Sequence, residues 1–146
     1  MSGISVTSTG ADRSHVERRR LILEKYPQVR ELFGRDPVTF KITAAIFVGQ
    51  FLIAAWMGYL GLSYWWLSLL LAICVGAFAN HANFVIIHDA IHNCVFESPL
   101  ANKWTAILAD LPNAFPTSMG FRCYHIKHHS HLSAYDYDAD IPSEWE

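Results

Sequence analysis

The chain has 146 residues, 52% of them hydrophobic, and a formal net charge of -2. That length suits one domain, and a slightly acidic balance with no basic stripe interleaved with aromatics excludes a nucleic-acid partner. Cys74, Cys94 and Cys123 form neither a CxxC motif nor an even framework, which points to a reduced setting rather than a disulfide-built secreted fold.

Residues 1–13 are rich in Ser, Thr and Gly. Ser2 stands where N-myristoylation needs a glycine directly after Met1, so no acylation is expected there. Ser14 followed by Glu17 reads as a capping box that opens a helix through "HVERRRLILEK". Tyr26-Pro27 stops it, and Pro27 starts a second short helix, "QVRELF", that ends at Gly34. Val16, Leu21, Leu23 and Val29 give this pair an apolar side, while Arg18, Arg19 and Arg20 meet water or lipid phosphates.

Residues 42–87 contain no Asp, Glu, Lys or Arg. As helix this run measures about 69 Å, enough for two crossings of a hydrocarbon layer of about 30 Å. It begins too far into the chain, and runs too long, for a secretory leader. The crossings are expected at residues 42–60 and 65–87, joined by the uncharged turn "GLSYWW" with its interfacial aromatics Tyr64, Trp65 and Trp66. Eight of the eleven Lys and Arg precede residue 42, three follow residue 87, and the turn has none. The positive-inside rule therefore puts both ends of the hairpin in the cytosol.

Ser98-Pro99 reads as an N-cap with Pro at the first helical position. Leu100, Trp104, Ile107, Leu108 and Leu111 then recur at helical spacing, with Asn102, Lys103 and Asp110 off that stripe, as in an interfacial helix along the cytosolic leaflet. "LPNAFP" ends it. The fold class is thus an all-α membrane protein, a hairpin of two transmembrane helices with amphipathic interfacial helices. Residues 1–41 form a cytosolic segment, and residues 42–146 a domain that carries the histidines.

Histidines gather on both sides of that interfacial helix. In "HDAIH", His88 and His92 are four apart and share a helix face; in "HIKHH", His125, His128 and His129 at i, i+3 and i+4 do the same. Two such sets at one membrane boundary read as metal ligands, because scattered surface histidines would have no reason to keep phase. Imidazole suits Zn, Cu, Fe and Ni. Five in-phase histidines exceed one zinc site and fit part of a two-metal site. Asp89 is a candidate to orient an imidazole or a solvated carboxylate at a helix end. His81, two turns before His88, reads as an interior histidine hydrogen-bonded with Asn80, in the shell around the site rather than a ligand. His131 drifts out of phase and reads as a bystander.

"HDAIH" and "HIKHH" resemble the histidine boxes of the membrane fatty-acid desaturase and hydroxylase superfamily. "RRRLILEKYPQV", "NHANFVIIHDAIHN", "ADLPNAFP", "YHIKHHSHL" and "DYDADIP" together resemble, in order and spacing, the N-terminal half of sphingolipid delta-4 desaturases. The resemblance implies that His88, His92, His125, His128 and His129 ligate a di-iron centre with O2 as co-substrate. It implies dihydroceramide as substrate, a trans double bond at carbon 4 of the sphingoid base, and residence in the endoplasmic reticulum membrane. Electrons would come from cytochrome b5 and its NADH-dependent reductase. A third histidine box, which that family needs, does not follow before Glu146, so the chain reads as an N-terminal fragment. The alternatives are a sphingolipid C4-hydroxylase of the same superfamily, a membrane zinc hydrolase, and a non-catalytic fragment.

Overall fold

The computed structural model describes residues 15–113, 115–131 and 138. Ser14, the expected capping residue, lies outside them. The chain divides into two compact units, residues 1–34 and 35–146. In the first, α1 (His15–Lys25) is followed by a single 3-10 segment, Pro27–Leu32, tighter than the α-helix expected there. Leu23 is its buried apolar residue, and the Arg19 guanidinium lies 5.7 Å from the centre of the Phe33 ring.

The second unit opens on α2 (Val38–Leu60), which starts four residues before the expected span. The Asp36 carboxylate accepts the Val38 N–H at 2.9 Å at this end. Gly61 stops the helix at φ 79°, a backbone region in which a β-carbon is strained. Its N–H still reaches the Met57 carbonyl at 3.1 Å. The return path is α3 (Trp65–Leu71), a π-helical turn (Ala72–Gly76), and α4 (Ala77–Ile91). The stretches Val38–Leu60 and Leu62–Ile91 are each long and apolar enough to cross a membrane. Only 6% and 17% of their apolar windows are buried among the described residues, which leaves apolar surface for lipid. Their facing sides are joined by Asn83, whose Nδ2 donates to Gln50 Oε1 at 3.1 Å, the kind of interhelical bond that holds spans together where no water competes.

α4 ends because Asn93 turns the chain at φ 58°, a left-handed conformation that Asn tolerates better than most residues. The loop that follows is built on Asn102. Its Oδ1 accepts from the N–H of Val95 and of Phe96, and its Nδ2 donates to the carbonyls of Phe96 and Ser98. α5 (Pro99–Asp110) then begins as expected, with Ser98 Oγ accepting the Ala101 N–H. It runs back beside α4, since Leu111 and Pro112 at its far end border the same cavity as Gln50, Ala72 and Gly76. The face it turns inward is small and polar: Asn102, Thr105, Ala106, Ala109 and Asp110. Leu100, Trp104 and Leu111 face outward. Small residues let the backbones of α4 and α5 approach closely, which is how helices pack in lipid. The core is Ile86, Ile87, Ala90 and Ile91 of α4 with Val95, Ala106 and Ala109. α6 (Ser118–Ser130) completes the unit, and among the described residues there is no strand.

Candidate metal centre

The C-terminal turn of α4 carries His88, and His92 caps it; α6 carries His125 and His129 one turn apart. Ring nitrogens of these four lie within 4.8 Å of one another. His92 Nε2 is 3.0 Å from His125 Nε2, and His129 Nε2 is 3.1 Å from the same atom. The helical phase read from the sequence thus becomes one cluster.

His128 is turned differently. Its Nδ1 is 2.6 Å from Oδ1 of Asp138, a carboxylate that is itself buried. That partner went unnoticed in the sequence, because "DYDADIP" offers three aspartates and no local reason to choose one. Asp89 stands 3.5 Å from His88 Nδ1, the outer limit of a hydrogen bond. Asn80 and His81 do not join this arrangement. Both are exposed, and neither side chain hydrogen-bonds a described residue. The interior amide of α4 is Asn83 rather than Asn80, because the face of α4 toward α2 is set by the neighbour it meets and not by the histidine phase. Asn83 Oδ1 is buried without a partner among the described residues. His131 caps the end of α6, exposed and outside the cluster.

Two further residues shape the site. Arg122, one turn before His125 on α6, donates from Nη1 to the Ile91 carbonyl at 3.0 Å. Asp110 accepts at its two oxygens from the Asn113 side chain, the Thr117 hydroxyl and N–H, and the Ser118 N–H, at 2.7–3.0 Å. Burial would raise the Asp110 pKa, but the bonds from Asn113, Ser118 and Thr117 outweigh it and hold the carboxyl below its usual range.

Electrostatics favour neutral imidazoles. Burial first, and then the neighbouring His88 and His129, lower the pKa of His92; burial, then His129, His88 and His92, lower that of His125. A neutral imidazole is the form that binds metal. Four imidazole donors, with no thiolate among them, fit one borderline metal ion such as Fe(II) or Zn(II). A two-metal centre needs further ligands from beyond these four.

Residues 63–146 match the family model described as fatty acid desaturase, and the chain belongs to that family. Residues 9–38 match a second model, described as Sphingolipid Delta4-desaturase (DES). A sphingolipid delta(4)-desaturase of Oryza sativa subsp. japonica is 40% identical over 136 residues, covering 92% of this chain and 40% of the relative. One from Candida albicans is 39% identical over 138 residues, 94% of this chain and 37% of the relative. A sphingolipid delta(4)-desaturase/C4-monooxygenase of Bos taurus is 36% identical over 137 residues, 92% and 42%. The chain spans about two fifths of the length of the curated relatives it matches. No solved structure matches significantly. The resemblance read from the motifs is borne out at the level of family.

Proposed function

We propose that the chain forms the first part of a sphingolipid delta-4 desaturase and that His88, His92, His125 and His129 hold one metal of a di-iron centre. The observation that carries this reading is the four-imidazole cluster at the ends of α4 and α6, in a chain of the desaturase family. His128, which the family resemblance counts among the ligands, is held at Nδ1 by Asp138. The bound iron supplies the O2 activation that removes hydrogen from an unactivated alkyl chain, a task beyond side-chain acids and bases. The lipid gives up two hydrogens, and with two electrons and two protons from the reductant O2 becomes two waters.

The chain's own residues bind and orient. An apolar cavity of about 400 Å³ beside Phe51, Met57 and Val75 adjoins one of about 670 Å³ that reaches Phe84 and Phe121. Gln50, Asn80, Asn113 and Thr117 also line the second cavity, and its Phe121 ring stacks on His125 with centroids 4.8 Å apart, so a lipid tail seated there would end one ring away from the histidines. Dihydroceramide is the substrate in this reading, and cytochrome b5 with its NADH-dependent reductase delivers electrons from the cytosol. The charge distribution supports a cytosolic site, with residues 1–41 as a cytosolic segment, and the family resemblance implies the endoplasmic reticulum membrane.

A sphingolipid C4-hydroxylase is the second reading, favoured by the double name of the Bos taurus relative. Lipid profiling of a desaturase-deficient cell expressing the full-length protein tests both. Ceramide formed from dihydroceramide supports desaturation, 4-hydroxylated product supports the second reading, and neither product contradicts both.

A further inference from the structure

Beside the packing of Phe121 against Phe84 and the core, α6 is held at two points by charged groups. At its start, Asp110 Oδ2 accepts the N–H of Thr117 and of Ser118, each at 2.7 Å. These belong to the first N–H groups of a helix, which have no partner within it. One turn on, Arg122 Nη1 donates to the carbonyl of Ile91, the residue before His92. That carbonyl is among the last of α4, where acceptors are likewise left over and positive charge is favourable. Ser118, Arg122, His125 and His129 fall at i, i+4, i+7 and i+11, a single stripe along α6. Anything that fixes Ser118 and Arg122 therefore fixes the rotation and axial position of the two histidines. Hydrogen bonds with one ionised partner are shorter and stronger than neutral ones, so this is a stiff hold.

We propose that Asp110 and Arg122 are positioning residues: Asp110 pins the start of α6, Arg122 ties it to the end of α4, and together they bring His125 and His129 to His88 and His92. The proposal rests on the metal-centre reading above for its purpose, but its geometry can be tested apart from it. Neither residue touches a lipid or a metal in this account; both act through the helix.

The native cysteines make the test practical. Cys94 follows α4, Cys123 lies on α6, and both are exposed, so spin labels on them in a Cys74→Ser background report the α4–α6 separation by pulsed EPR. The protein is reconstituted in nanodiscs and titrated with Co(II), whose visible spectrum reports ligand geometry. Arg122→Gln and Asp110→Asn should each broaden the interlabel distribution and weaken Co(II) binding by roughly 10- to 100-fold, the range seen when a residue outside the ligand set loses its hold. Arg122→Lys should fall between, since a point charge replaces a planar fork. It carries the same readouts if Arg122→Gln does not accumulate. An unchanged distribution overturns the proposal, and so does a broadened one with unaltered Co(II) affinity and spectrum. If the unsubstituted chain takes up no Co(II) while the variants still broaden the distribution, the metal reading fails and the clamp stands.

Discussion

His92 Nε2 and His125 Nε2 face each other at 3.0 Å across the ends of α4 and α6. Two protonated rings at that separation would direct N–H against N–H, so the arrangement requires at least one bare nitrogen. The lowered pKa of both rings supplies it. Replacing either residue by Ala should cost more in Co(II) or Fe(II) affinity than the 10- to 100-fold lost with an outer hydrogen-bonding partner. His131→Ala, outside the cluster, should leave affinity unchanged. Calorimetric titration of the three variants checks this, and equal losses from His92→Ala and His131→Ala would show that the phase of α6 is misassigned.

Asn102 is fully buried and makes four hydrogen bonds to the loop after His92. Asn102→Ala leaves the N–H groups of Val95 and Phe96 and the Phe96 carbonyl short of this partner, while the Ser98 carbonyl keeps the backbone N–H of residue 102. The expected loss is about 2–4 kcal/mol, with the metal ligands themselves untouched. Thermal unfolding followed by circular dichroism in detergent measures it. An unchanged midpoint would mean that the loop re-forms its bonds elsewhere.

Asp110 makes the fold acid-sensitive. Its folded pKa lies below the ordinary aspartate value of about 3.9, so the folded state binds the proton less readily than the unfolded one. The stability this contributes is present above that ordinary value and is lost as pH falls through it toward the folded pKa. Asp110→Asn should be less stable at neutral pH and should lose less on acidification below about pH 4 than the unsubstituted chain. Parallel acid-unfolding curves for the two proteins would contradict this.

The three cysteines also report topology. Cys74 lies within the second span, whereas Cys94 and Cys123 lie beyond its end. In sealed vesicles of known orientation, a membrane-impermeant maleimide added on the cytosolic side should modify Cys94 and Cys123 and spare Cys74. Modification of Cys94 from the lumenal side alone would reverse the proposed orientation.

What the sequence made legible follows from periodicity and charge. The hairpin, the Ser98 cap and the shared phase of His88, His92, His125 and His129 are all properties of a single helix or of its ends, and each is present in the structure. The rest depends on what a helix meets. Asn83 rather than Asn80 or His81 is interior because α2 lies on that side of α4. His128 leaves the cluster because Asp138, ten residues on, takes its Nδ1. The partners of Asp110 lie up to eight residues away, across the turn into α6, where no local pattern marks them.

The central claim is that these histidines hold iron for lipid oxidation. Elemental analysis of the protein purified from iron-replete cells, beside a His92→Ala/His125→Ala double variant, tests it most directly. Iron is expected in the first and its loss in the second; a single zinc bound in place of iron would contradict the iron reading.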